Sequence, residues 1–236
     1  RPNHGKPLVI VFHGRKAAEV RLPYLPGSGL TSGLDVAFMS ISDPSLALDS
    51  DLAIGWHAGS IHYRSLQGDL VELINHVAAQ NNSPQVILVG GSAGGFASLV
   101  LSRMIPGSTA IVWNAQTEIY RYYKRFVDFY AQIAWDNHLP TSNDSSTTVS
   151  ALQLYAATPA ANRVIFLQEQ SDTHHVNEHF RPFREQQRSE PNLWAYERHW
   201  GEGHAPAPKP LIRDFILAVC SNNVDDKLEQ LGAERF

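Results

Sequence analysis

The sequence predicts an α/β domain: a doubly wound, mostly parallel sheet with helices on both faces. Three observations predict it. Apolar runs of strand length recur along the chain, helical patterns lie between them, and most of the runs are continuous rather than alternating. Continuous apolar runs are expected of parallel strands covered on both sides, and strands that alternate with helices wind into one open sheet. At 236 residues the chain fits a single domain over 1–236. Its 43% hydrophobic residues can fill such a core, and 18% charged is too low for a disordered chain.

The elements follow in order. LVIVF (Leu8–Phe12) and VAFMSI (Val36–Ile41) read as strands, and LQGDLVELINHVAAQ (Leu66–Gln80) as a helix. VILV (Val86–Val89) is the next strand. AGGFASLVLSRMI (Ala93–Ile105) is helical, because Phe96, Leu99, Val100 and Met104 recur on one face. AIVW (Ala110–Trp113), VIFL (Val164–Leu167) and LWAY (Leu193–Tyr196) complete the strands. PLIRDFILAVC (Pro210–Cys220) is a closing helix with proline in its first turn. The stretch at about 114–163 is long for a connection. It holds an aromatic helix (Ile119–Trp135) and a polar loop (Pro140–Ser150), as an inserted lid or cover would.

Composition narrows the function classes. A formal net charge of −4, with basic residues dispersed, disfavours a nucleic-acid partner. No apolar run reaches the roughly 18 residues of a membrane span. No signal peptide is visible, and the chain starts at Arg1 without methionine, as a processed protein or an excised domain would. The single cysteine, Cys220, excludes an internal disulfide. Oligomeric state is left open.

The most informative stretch is VILVGGSAGG. Gly90-Gly91-Ser92-Ala93-Gly94 matches G-x-S-x-G between a strand and a helix, the setting of a nucleophile elbow. There a strained turn lifts the serine hydroxyl at the sheet's C-terminal edge, with Gly90, Gly94 and Gly95 allowing close backbone approach. The Walker lysine is absent and no G-x-G-x-x-G follows the first strand, which weakens a phosphate-loop reading. A serine needs a base and a group to orient that base. Asp172 lies just past the strand in RVIFLQEQSD, and His204 lies in the glycine-bounded loop GEGHAPAP before the last helix. Ser92, Asp172 and His204 therefore follow three candidate strand ends in the order serine, acid, histidine. Glu169 is a rival acid at the strand end, and His199 a rival base on a continuing strand. Backbone amides of Ala93, with Gly14 or Arg15 after the first strand (VFHGRK), are placed to hold an oxyanion.

These residues resemble the α/β-hydrolase superfamily, through FHG after the first strand, GGSAGG, the acid in QEQSDTHH and the base in GEGHAPAP, over Leu8 to about Cys220. The resemblance implies a serine hydrolase that forms an acyl-enzyme and needs no cofactor. The family's first two strands form a hairpin before FHG. Only seven residues precede that strand here, so the hairpin is absent or an upstream region has been lost. QSDTHHVNEHFRPF with HWGEGHAPAP is similar to hydrolases of bacterial surface glycoconjugates, including the acetyl-transferring or deacetylating component of the accessory Sec system. That likeness implies a short-chain ester, acetyl above all, on a carbohydrate. The compartment stays open between the bacterial cytoplasm and the cell surface or secretion. Lipase, thioesterase, peptidase, acyltransferase and a non-catalytic glycan-binding or secretion-accessory domain remain alternatives on the same fold.

Four residues are candidate substrate contacts: His13, Trp56 and His57 in the glycine-broken IGWHAGS, and His175. Tyr120, Tyr122 and Tyr123, interspersed with Arg121, Lys124 and Arg125, offer stacking faces and polar edges suited to a sugar. His174, His175 and His179 cluster locally, with His175 and His179 at i, i+4. The triad accounts for the chemistry without a metal, so orientation of the Asp172 loop is the expected role and no metal site is assigned.

Overall fold

A computed structural model of the chain describes residues 1–141, 146–157, 159–188 and 190–236. Positions 142–145 of the expected polar loop lie outside the described residues. The sheet has seven strands: β1 (Leu8–Phe12), β2 (Ala37–Ile41), β3 (Val86–Gly91), β4 (Thr109–Trp113), β5 (Arg163–Glu169), β6 (Leu193–Arg198) and β7 (Glu234–Arg235). Their spatial order is β2-β1-β3-β4-β5-β6-β7. All neighbouring pairs are parallel except β6 with β7. The two-residue β7 is too short to carry a pattern, and the sequence did not predict it. Among the described residues no strand precedes β1.

Period-2 geometry explains why the runs are continuously apolar. Leu8, Ile10 and Phe12 point to one face, where α1 (Leu66–Gln80) and α2 (Ala93–Arg103) pack Leu70, Ile74, Ala97 and Leu101 against them. Val9 and Val11 point to the other face, with Ile87, Val89, Ile165 and Leu167. There α7 (Lys209–Val219) contributes Ile212, Phe215, Ile216 and Val219, and α8 (Val224–Gln230) contributes Leu228. The spacing i, i+3, i+4, i+7 in α7 is one helical stripe, and each such side chain, fully buried, contributes about 1.5–3 kcal/mol.

The connection after β4 runs through a short 3-10 turn (Ile119–Arg121), α3 (Lys124–Trp135) and α4 (Ala151–Ala156). The expected continuous helix from Ile119 breaks at Tyr122 and Tyr123, which are extended (ψ 172° and 121°). The break turns the Tyr122 ring inward, onto Trp56 and Phe126. Tyr130, Ala134, Trp135 and Tyr155 from this connection join the core that α2 shares with β4 and β5. After β5 the chain coils through α5 (Thr173–His175), a π-helical turn (Val176–Phe180) and α6 (Arg181–Gln186).

The α7 stripe yields a direct test of the packing. Phe215→Ala should lower the unfolding free energy by about 3–5 kcal/mol, read from urea denaturation. Leu217→Ala, at a position 51% exposed on the opposite side, should change it by about 0.5 kcal/mol or less.

Candidate active site

The register aligns Phe12 with Gly90, Gly91 with Trp113, and Trp113 with Leu167, so the loops after β1, β3, β4 and β5 leave the sheet at one edge. Ser92 stands there between β3 and α2 with φ 55° and ψ −121°. That conformation is costly for a non-glycine residue and persists only where the surroundings impose it. The Ser92 amide donates to the Trp113 carbonyl (3.1 Å) and its carbonyl accepts from the Gln116 amide (3.2 Å), and the backbone around it is close: a Cβ on Gly94 would sit 2.3 Å from the carbonyl oxygen of Phe12, and one on Gly90 2.3 Å from Gly94 itself. Ala93 opens α2, where amides lack intrahelical partners.

The loop after β1 lies against this elbow. A Cβ on Gly14 would be 3.5 Å from that of Ser92. His13 is buried and keyed into the same loop. The Asp43 amide donates to its Nε2 (3.0 Å), so Nδ1 carries the proton and donates to the Gly14 carbonyl (2.7 Å). Because the peptide group is planar and trans, fixing that carbonyl turns the Arg15 N–H the opposite way. Burial lowers the His13 pKa, against the raising effects of Gly14 and Asp43, and favours the neutral ring that this pattern requires.

Asp172 caps α5 and is buried. Its Oδ2 accepts from His204 Nδ1 at 2.6 Å, and His175 Nδ1 lies 3.0 Å from both carboxylate oxygens. The two imidazoles are stacked, with centroids 4.1 Å apart and planes 20° from parallel. They differ in access: the His204 side chain is 43% exposed and that of His175 only 1%. Burial pushes the Asp172 carboxyl up, but hydrogen bonds from His175 and His204 and their charges outweigh it and hold the group well below the usual carboxylate range. Burial lowers the His175 pKa and favours its neutral form, even though Asp172 opposes the shift. Ser92, His204 and Gly14 line one cavity of about 370 Å³, whose walls include Tyr24, Leu30, Trp113 and Ile212. A somewhat larger cavity lies at the opposite end of the strands, beside Leu8 and Ala37.

Glu169 and His199, the rival acid and base, pair with each other. Glu169 ends β5 fully buried. It accepts from His199 Nδ1 (2.8 Å), from the amides of Trp200 (2.6 Å) and Gly201 (2.9 Å), and from Ser171. Burial raises its carboxyl pKa, but these hydrogen bonds outweigh it and leave the pKa lowered. Asn114, past β4, donates to the Ala205 carbonyl (2.8 Å) and accepts from the Glu169 amide (2.9 Å). The His204 loop is thus tied down on both sides.

Of the expected substrate contacts, His13 lines the cavity. Trp56, His57 and His175 are each 1% exposed. Trp56 Nε1 donates to Gln116 Oε1 (2.5 Å), and Gln116 Nε2 donates to Ser92 Oγ (2.8 Å). Gln116 escaped the sequence reading: it follows β4 in a run with no motif, and its partners are 24 to 60 residues away. His179 Nδ1 accepts from the Thr117 amide (3.2 Å), and His174 stacks on Tyr123 at 4.3 Å. Atoms of Asp172, His175 and His204 that could ligate a cation lie within 4.8 Å of one another, but hydrogen bonds already join both rings to the carboxylate.

No family model and no curated protein matches the chain. Solved structures do. The capsule O-acetyltransferase of Neisseria meningitidis serogroup A superimposes with a TM-score of 0.63 at 13% identity, over 94% of this chain and 89% of that one. An acetyl xylan esterase from a Paenibacillus species gives 0.59 at 12% identity, over 93% and 75%. A glycosylation-associated protein complex from Streptococcus agalactiae gives 0.55 at 15% identity, over 86% and 39%. The chain has the α/β-hydrolase fold.

The buried histidines make stability depend on pH. His57 has its pKa lowered to about 4 and His179 to about 2, mainly by burial, whereas an unfolded histidine titrates near 6.5. A depressed histidine pKa means that the unfolded state binds the extra proton. The stability is therefore fully present above about pH 6.5 and is lost as pH falls toward 4. His57 alone accounts for about 3 kcal/mol across that window. Urea unfolding followed from pH 7 to pH 4.5 or so should show a steady fall beginning near neutrality. A flat profile down to the carboxylate range would contradict the neutral, buried assignment.

Proposed function

We propose that the chain is a serine esterase acting on short-chain, principally acetyl, esters of a carbohydrate. The observation that carries the reading is the 2.6 Å bond from His204 to the buried Asp172 beside a strained Ser92 on the same cavity. In this reading Asp172 keeps the proton on His204 Nδ1, leaving Nε2 bare to take the Ser92 proton. Ser92 Oγ then attacks the ester carbonyl. The amides of Ala93 and of the Gly14–Arg15 loop hold the oxyanion. Each such donor stabilises the transition state by about 3 kcal/mol. His204 protonates the departing alcohol, and water activated by the same nitrogen releases the acid. In this reading the described part of the connection at about 114–163 covers the site. Its Tyr122 ring packs 6.0 Å from that of His175.

A carbohydrate ester is supported by the names of the structural neighbours, which include a capsule O-acetyltransferase and an acetyl xylan esterase. The first of these also favours a second reading, acyl transfer, in which a sugar hydroxyl replaces water in the second step. Product analysis separates the two: hydrolysis gives free acetate, and transfer gives an acetylated acceptor.

Ser92→Ala and His204→Ala should each abolish nearly all esterase activity, and the double variant should be little worse, because the pair acts as a unit. Asp172→Asn should fold yet lower kcat by about 10⁴-fold through the wrong histidine tautomer. Glu169→Gln should be far milder in kcat, its carboxylate holding the 199–201 loop and not the base. The reverse ranking would move the acid to Glu169.

Chain-length selectivity tests the substrate. Comparison of kcat/KM for acetyl, butyryl and octanoyl esters should favour acetyl, with acetate released from an acetylated glycan. A preference for octanoyl with activation at a lipid interface, and no acetate release, would favour a lipase.

A further inference from the structure

We propose that Gln116 is a further catalytic residue, which orients the Ser92 hydroxyl with a hydrogen-bond polarity dictated by Trp56. The inference rests on Ser92 being the nucleophile. It adds a residue pair that no motif identifies.

The direction of each proton follows from one fixed point. An indole N–H can only donate, so the atom of Gln116 that faces Trp56 at 2.5 Å is the carbonyl oxygen Oε1. The amide nitrogen must then face the other way. It carries two hydrogens and has two neighbours, Ser92 Oγ at 2.8 Å and His175 Nε2 at 3.4 Å. His175 Nε2 is therefore an acceptor, and its proton sits on Nδ1, bonded to Asp172. His204 likewise spends its Nδ1 proton on Asp172, which leaves the Nε2 of its neutral ring an acceptor, and His204 lines the same cavity as Ser92. Ser92 Oγ already receives a hydrogen from Gln116, so its own hydrogen is left for an acceptor, and His204 Nε2 is the bare nitrogen. As charge develops on Oγ during attack, the Gln116 N–H remains on it and stabilises it.

The support behind Gln116 is built to hold. Gln116 is fully buried, where a misdirected amide would leave polar atoms unpaired, so the observed orientation is favoured. Trp56 and His57 are consecutive non-glycine residues with φ of 55° and 53°. Left-handed backbone of this kind is retained where surrounding contacts over-determine it, and it concentrates at functional sites. The contacts are visible here: Asp43 Oδ2 accepts from the His57 amide (2.8 Å), and the Trp56 ring packs on Tyr122 and Tyr130. The strained turn holds the indole N–H in place.

The test is Gln116→Glu, assayed as kcat and KM on a short-chain ester across pH, with Gln116→Ala and Trp56→Phe beside it. An ionised carboxylate accepts the Ser92 hydrogen and turns it away from His204, so kcat near pH 8 should fall about 10- to 100-fold, with KM changed less than about 3-fold. Burial raises a carboxyl pKa, and the protonated acid can again donate to Oγ. The ratio of variant to wild-type kcat should therefore climb as pH is lowered. A through-space charge effect would raise the base's pKa and make that ratio fall instead, and a purely structural role would leave it flat. Trp56→Phe, which lets the amide flip, should lose less activity and show no recovery at low pH. A flat or falling ratio for Gln116→Glu, or wild-type kcat in Gln116→Ala, overturns the proposal. Should the Gln116 variants not fold, an unchanged kcat in folded Trp56→Phe overturns it. A wild-type protein that hydrolyses no ester defeats the esterase reading and this inference with it, whereas an active wild type with indifferent Gln116 variants defeats this inference alone.

Discussion

The site is organised around one buried charge. The Asp172 carboxylate is removed from water, and an uncompensated ion there would cost several kcal/mol. Its compensation comes from two imidazoles at 2.6 and 3.0 Å, brought by the loop after β6 and by the helical turn after β5. Satisfying Asp172 therefore means bringing those segments together at the sheet's C-terminal edge. His175, enclosed and kept neutral, gives His204 a flat surface to stack on. His204 itself keeps a side chain 43% exposed. One carboxylate thus holds a fixed ring and an accessible ring side by side.

A second buried carboxylate frames the first. Glu169 binds the amides of Trp200 and Gly201, and Asn114 binds both the Glu169 amide and the Ala205 carbonyl. These contacts cross from β4 to β5 to the loop after β6 and fix the backbone around His204. The elbow follows the same logic on the other side of the cavity, where steric contact at Gly94 and the bond from His13 to Gly14 fix the backbone about Ser92.

What was legible in the sequence shares a physical character. The six longer strands, the helices on both faces and the positions of Ser92, Asp172 and His204 all leave local marks: an apolar run, a helical stripe, a glycine pair, a polar residue just past a strand. The fold was readable for that reason. The break at Tyr122 was not, because helical propensity is continuous there, and the ring's inward contacts with Trp56 and His175 decide it. Nor were the roles of Trp56 and Gln116. Their bond spans 60 residues, and an exposed aromatic in a glycine-broken loop looks the same in sequence as a buried one. Glu169 and His199 had the right residue types for an acid–base pair, and the bonds of Glu169 to the Trp200 and Gly201 amides, 31 and 32 residues away, leave no mark in the sequence.

We propose that Ser92 is a nucleophile activated by the His204–Asp172 pair. A fluorophosphonate probe, incubated with the folded protein and followed by peptide mass mapping, reads this out, since the probe reacts with an activated serine and ignores an ordinary one. The predicted result is a single adduct on Ser92, formed rapidly in the wild type and lost when His204 is replaced by alanine. An adduct on another residue, or an unmodified Ser92 in protein shown to be folded, would contradict it.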